Sequence, residues 1–110
     1  MQGIEPMRTH LNAVDASGGT VNGSYFATNH TDTIEYSVEG TTPTVKLQKN
    51  AVWDSAANAP KSTTWYDVAT RAAAGAYSDQ PFAPYCRFVA TAGNPVTVKA
   101  RRMVADNANV

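Results

Sequence analysis

The run Thr33-Ile34-Glu35-Tyr36-Ser37-Val38-Glu39 places Ile34, Tyr36 and Val38 on one side of an extended chain and Thr33, Glu35, Ser37 and Glu39 on the other. A period of two is incompatible with an amphipathic helix, whose apolar positions return every three or four residues, and predicts a strand with one buried face. Gly40-Thr41-Thr42-Pro43 follows as a turn, after which Val45 and Leu47 alternate with Lys46 and Gln48. The expectation is an antiparallel hairpin. The same grammar recurs near the end of the chain, where Tyr85 to Thr91 reads as a strand, Gly93-Asn94-Pro95 as a turn and Val96 to Met103 as another strand. There Val96, Val98 and Ala100 are expected to face inward and Thr97, Lys99 and Arg101 outward, in a second hairpin.

The remaining segments fit the same class. A strand is expected near 7–14, within an N-terminal stretch (1–20) that reads either as an edge strand followed by a turn or as an extended arm. The polar stretch 54–63 predicts a long loop between Val52-Trp53 and a strand at 64–68. Ala69 to Ala76 holds enough alanine for a helical turn, but Gly75 interrupts it and the segment is too short to be stable alone. No segment sustains a helical period. The reading is an all-β chain forming a single antiparallel β-sandwich, jelly-roll-like, with an Ig-like arrangement as the alternative. Residues 21–105 form the sandwich and 106–110 a tail. At 110 residues there is room for one core, and a domain this short buries a modest share of its surface, which favours association.

Charge narrows the partners. Nine basic and nine acidic side chains give a net charge of zero, so no strong field is present to hold nucleic acid or an anionic membrane. Charged residues are only 16% of the chain, and an uncharged polar surface suits permanent assembly contacts. The N-terminus lacks the basic, apolar, small-residue order of a secretory leader, and no apolar run approaches the ~20 residues of a membrane span. Synthesis in a cytoplasm follows.

Residues that carry chemistry occur singly. Cys86 is the one cysteine, which removes an internal disulfide, a cysteine-based zinc cluster and a C-x-x-C redox pair together. Its place within an apolar strand predicts an inert, packed thiol rather than a nucleophile beside His10 or His30. Asp32 two residues after His30 is too little for a metal site, and both histidines read as surface or turn residues. Asp15, Asp32, Asp54, Asp67 and Asp79 stand mostly beside turn residues, where such side chains cap backbone N–H groups. Gly18-Gly19 leads to no lysine and no helix, so it is a turn rather than a phosphate loop. No catalytic residue, metal ligand or cofactor site is assigned.

The aromatic residues remain. Trp53, Trp65 and Tyr66 flank the polar loop, with Tyr77, Phe82 and Tyr85 further on. They either fill the core, the favoured reading for a small sandwich, or form a platform for sugars or proteins. Lys46, Arg87, Lys99, Arg101 and Arg102 read as a solvated basic face that blunts an edge rather than a binding stripe.

From about Ile34 to Met103 the order of motifs resembles small β-sandwich modules from virions of tailed bacteriophages. The stretches are T-V-K-L-Q (44–48), T-W-Y-D-V (64–68), P-F-A-P-Y-C-R-F-V-A-T-A (81–92) and P-V-T-V-K-A (95–100). The loop at 54–63 departs from that pattern by lacking a short Asp-Gly turn before the tryptophan strand. The resemblance implies a non-enzymatic capsid decoration or cement protein, made in the host cytoplasm and located on the virion surface. It would act as a homo-oligomer, dimer or trimer, that bridges subunits of the major capsid protein. Candidate partner-binding residues are Met7, Arg8 and Leu11 in the N-terminal segment, and Trp53, Trp65 and Tyr66. The alternative is a carbohydrate-binding or host-attachment module of a tail or fibre that uses exposed aromatics.

Overall fold

The computed structural model describes residues 3, 4 and 6–104, and the tail expected at 106–110 lies outside them. In chain order the strands are β1 (Gly3–Ile4), β2 (Arg8–Val14), β3 (Val21–Asn22), β4 (Phe26–Ala27), β5 (Thr33–Gly40), β6 (Thr44–Asn50), β7 (Trp53–Asp54), β8 (Ala59–Pro60), β9 (Tyr66–Arg71), β10 (Gly75–Asp79), β11 (Tyr85–Ala92) and β12 (Val96–Val104). No helix occurs among the described residues. Ala69 to Ala76, with its alanine content, is divided between β9, a short bend and β10. β-Pairing of both flanks overrides the intrinsic helical preference of alanine.

Two antiparallel sheets pack face to face as a β-sandwich. One runs β1-β12-β5-β10, with β2 also on β12; the other runs β3-β11-β6-β9, with β4 also on β11. β5, β12 and β2 supply Ile34, Tyr36, Val38, Val96, Val98, Ala100 and Leu11 to the core, while β6 and β11 supply Val45, Leu47, Cys86, Phe88 and Ala90. Tyr36 and Phe88 meet across the layer, ring centroids 5.0 Å apart. Thr97, Lys99 and Arg101 alternate with the buried positions of β12 and are more exposed, as the period of two requires.

The two expected hairpins are not hairpins. β5 pairs with β12 and β10, whereas β6 pairs with β11 and β9; β11 and β12 likewise belong to different sheets. Each connection is therefore an arch that carries the chain over the end of the core. Alternation shows which face of a strand is buried, and both the hairpin and the arch turn the apolar faces toward the same core, so the pattern does not separate them. Close packing at the two turns holds the arches in place. Gly40 and Gly93 have φ of 141° and 109°, conformations open to glycine and strained for other residues, and Pro43 is buried between the arches. The arches lie side by side, with Thr41 N–H donating to the Pro95 carbonyl at 3.2 Å. Among the described residues β7 and β8 are the one pair of consecutive strands that bond to each other. They form a small excursion that overlaps the expected loop 54–63, leaving the end of β6 and returning toward β9.

β2 places the N-terminal segment on the edge of the first sheet, against Val96 to Ala100 of β12. Leu11 on it is 3% exposed and belongs to the core. It therefore presents no surface to a partner, and its expected partner-binding role is corrected. The inward position on a strand with alternating faces dictates that burial.

Candidate functional site: an aromatic end of the sandwich

The register of β6 against β11 sets Asn50 opposite Tyr85 and Thr44 opposite Ala92. The arches thus occupy one end of the sandwich, and the β6 terminus with the β7–β8 excursion occupies the other. At this second end the chain displays its aromatic side chains. Trp53 is 41% exposed, with its ring centroid 5.5 Å from that of Tyr85 and 6.4 Å from that of Tyr25. Tyr25 and Tyr85 meet edge to face at 6.1 Å. Most of these rings do not fill the core, contrary to the favoured sequence reading. Tyr36 and Phe88 occupy the space between the sheets, and the strand pair β7–β8 holds Trp53 outside it.

Asn50 positions this end. It is 1% exposed, its Nδ2 donates to the Lys61 carbonyl at 2.8 Å, and its Oδ1 accepts from Val52 N–H and Thr64 Oγ1, both at 2.9 Å. One amide side chain therefore closes the base of the excursion, satisfying its own polar groups and three of the loop's. Asp54 then organises the tip, accepting from the N–H groups of Ala56 and Ala57.

Beside the excursion, a cavity of about 180 Å³ is lined by Lys49, Asn50, Val52, Thr64, Tyr66, Phe82 and neighbouring alanines. Tyr66 and Phe82 are 63% and 54% exposed. Adjoining the same cavity, the two rings make contiguous exposed apolar surface, the kind that marks interaction sites when it is large. The Asn50 polar groups are consumed inside the fold, so the cavity offers mainly apolar contact.

Trp65 is half-buried and lies under the Arg87 guanidinium, 4.4 Å from ring centroid to carbon. From Arg87 a chain of contacts crosses the outer face of the second sheet: Arg87 Nε to Gln48 Oε1 at 2.8 Å, Gln48 Nε2 to Asp67 Oδ1 at 2.9 Å, and Lys46 Nζ to Asp67 Oδ2 at 3.0 Å. The hydrogen bonds from Gln48 and Lys46 hold the Asp67 carboxyl below the usual carboxylate range. The basic residues do not make one face. Lys46 and Arg87 stand on the second sheet, while Lys99, Arg101 and Arg102 stand on β12, where Arg101 pairs with Glu35 at 2.6 Å and Arg102 with Asp32 at 3.2 Å.

Met7 and Arg8 are exposed, and Arg8 begins β2 on the edge of the first sheet, opposite Ala100. Arg8 borders a second cavity, about 260 Å³, with His10, Phe26 and residues of β12. His10 is not a free surface or turn histidine. Its ring sits 4.6 Å from Phe26 and 5.4 Å from Phe88, and burial, then the Arg8 charge, lowers its pKa.

The carboxylates divide. Asp15, Asp32 and Asp54 cap local backbone N–H groups as expected, Asp32 from a buried position where it also pairs with Arg102, whereas Asp67 and Asp79 serve cross-strand networks. Cys86 is fully buried against Thr28, whose hydroxyl donates to the Ala83 carbonyl. Burial pushes the Cys86 thiol up to about 11, which disfavours the reactive thiolate. Among the described residues no group of three or more His, Cys, Asp or Glu could hold a metal.

Tyr25 and Asn50 carry the site without a sequence signal: Tyr25 lies in the irregular stretch between β3 and β4, and Asn50 ends a strand as any polar residue does. Comparisons of the chain with protein-family models, with curated proteins and with solved structures return no match.

Proposed function

We propose that this chain is a non-enzymatic structural protein of a bacteriophage virion, which decorates the capsid and holds neighbouring major capsid subunits together. The observation that carries the reading is the aromatic end of the second sheet. Trp53, Tyr66, Phe82 and Tyr25 are large, exposed and gathered on a rigid scaffold, as the anchors of a protein interface are. The cavity beside Tyr66 would take an apolar side chain of a shell subunit. A protein that binds the assembled shell and not the free subunits stabilises the shell in proportion to affinity and occupancy.

Co-sedimentation of the purified chain with assembled phage shells tests this, with Tyr66→Ala and Phe82→Ala as variants. Saturable binding, lost in the double variant, and raised heat resistance of the decorated shell are expected. Shells that never retain the chain, or that gain no resistance from it, would overturn the proposal.

A carbohydrate-binding or host-attachment module is the second reading, favoured by the 63% exposure of Tyr66. Ring geometry weighs against it. The Tyr25 ring stands at 78° to Trp53 and 89° to Tyr85, whereas a sugar-stacking platform calls for ring faces presented side by side. Glycan-dependent quenching or shift of the tryptophan emission would favour this reading over the shell.

A further inference from the structure

The four sheet edges are built differently. On the first sheet, the edge made by β1 and β2 is interrupted at Pro6, shifts register twice against β12 and has Ala13 at φ 49°. On the second sheet, one edge consists of the two-residue pieces β3 and β4, and the other, β9, shifts register opposite Leu47 and Gln48. Bulges, prolines and short strands are the means by which sheets keep their edges from pairing with other chains.

β10 has none of them. Gly75 to Asp79 pair with Val38 to Ile34 of β5 in unbroken register, and the strand contains no Lys, Arg or Pro. Its one charge, Asp79, is neutralised by Arg71 at 2.8 Å. Tyr77 is drawn toward the core side: its hydroxyl donates to the Ala73 carbonyl at 2.6 Å, the Arg71 guanidinium covers its ring at 4.6 Å, and Tyr36 lies 5.7 Å away. Ala76 and Ser78, opposite Ser37 and Glu35, are small and exposed. β10 ends its sheet, and among the described residues no strand pairs with its outer side.

We infer that β10 is the dimerisation edge of this protein and that its occupant is β10 of a second copy, paired antiparallel about a two-fold axis at Tyr77. The segment is compatible with itself: its one charge meets no like charge and its facing side chains are small. Ala76 falls opposite the second copy's Ser78, and Gly75, which has no side chain, falls opposite the Asp79 held by Arg71. No like charges face each other. The first sheets of the two copies then continue into one another, each backbone edge supplying the hydrogen bonds that the other lacks.

Sedimentation velocity over a range of concentrations, without any shell present, tests the inference independently of the proposed function. A dimer that grows with concentration is expected, together with slowed amide exchange at 75–79 and unchanged exchange in β9. The double variant Ala76→Lys, Ser78→Lys places lysines opposite one another across the axis while both positions stay solvent-facing within one copy. It should weaken the dimer about tenfold or more and leave the monomer's circular dichroism intact. A chain that stays monomeric, a trimer, or a dimer without concentration-dependent protection at 75–79 would overturn the inference; the exchange measurement on the unmutated chain decides the matter even if the variant does not fold.

Discussion

Gly40 packs directly on the Pro95 carbonyl, so closely that a β-carbon at position 40 would overlap its oxygen. The contact joins the two arches, since Gly40 ends β5 and Pro95 precedes β12, and the neighbouring Thr41 N–H donates to the same carbonyl. Gly40→Ala must therefore both strain φ at 141° and push the arches apart. The expected loss is about 2 kcal/mol or more of unfolding free energy. Gly18→Ala, at a position with no atom within 4 Å of the added carbon, should change stability by less than about 0.5 kcal/mol. Urea midpoints of the two variants check this.

Those arches mark the boundary of what the sequence reveals. The strands β5, β6, β11 and β12 and their buried faces are legible because alternation is a local property of each. Partner choice is not, because Ile34, Tyr36 and Val38 would face the core equally well in a hairpin with β6 or in an arch over it. The candidate site is legible in part. Trp53 and Tyr66 are visible as residues, but their exposure depends on Asn50 holding the excursion away from the core and on Tyr36 and Phe88 already filling it. Leu11 fails as a surface residue for the converse reason: inclusion of β2 in the sheet turns it inward.

Arg71 on β9 and Asp79 on β10 join the edges of the two sheets, and the buried Tyr36 hydroxyl lies between them, donating to Asp79 Oδ2 at 2.5 Å and accepting from Arg71 Nε at 3.2 Å. Tyr36→Phe removes both bonds and should cost about 1–3 kcal/mol at neutral pH. Burial, then the hydrogen bond to Asp79, pushes the Tyr36 hydroxyl up to about 12 from its ordinary 10. Between those values the folded chain holds a proton that the unfolded chain releases. The contribution to stability is complete below pH 10 and is lost as pH rises toward 12, at no more than about 1.4 kcal/mol per pH unit. Denaturation at a series of alkaline pH values should show this decline in the parent chain and a shallower one in Tyr36→Phe.

His10 has the opposite sign. Its imidazole is lowered from the ordinary 6.5 by burial against Phe26 and Phe88 and then by the Arg8 charge. Below pH 6.5 the unfolded chain takes up a proton that the folded chain resists, so the stabilisation present above that value is lost as pH falls through the folded pKa. Arg102 and Arg101 also border the His10 cavity, each holding an acidic partner, Asp32 and Glu35. His10→Phe should flatten the pH dependence of the thermal midpoint below about pH 6.5. An unchanged slope in His10→Phe would show that the pH dependence arises elsewhere.

Asn50 ties the order of the aromatic end to its proposed binding role. Asn50→Ala leaves Val52 N–H, Thr64 Oγ1 and the Lys61 carbonyl without the partner that closes the excursion. Thr64 Oγ1 can turn its one proton to the Lys61 carbonyl and Lys61 N–H still donates to the Val52 carbonyl, so the loop should loosen rather than detach. The expected cost is about 1–3 kcal/mol. With Trp65 replaced by Phe, Trp53 becomes the single reporter, because the chain has two tryptophans. In that background Asn50→Ala should shift the Trp53 emission to the red and lower its anisotropy, as the ring leaves Tyr25 and Tyr85. Shell binding, measured well below the unfolding transition, should fall in step with the anisotropy if the ordered aromatic end is what the partner meets.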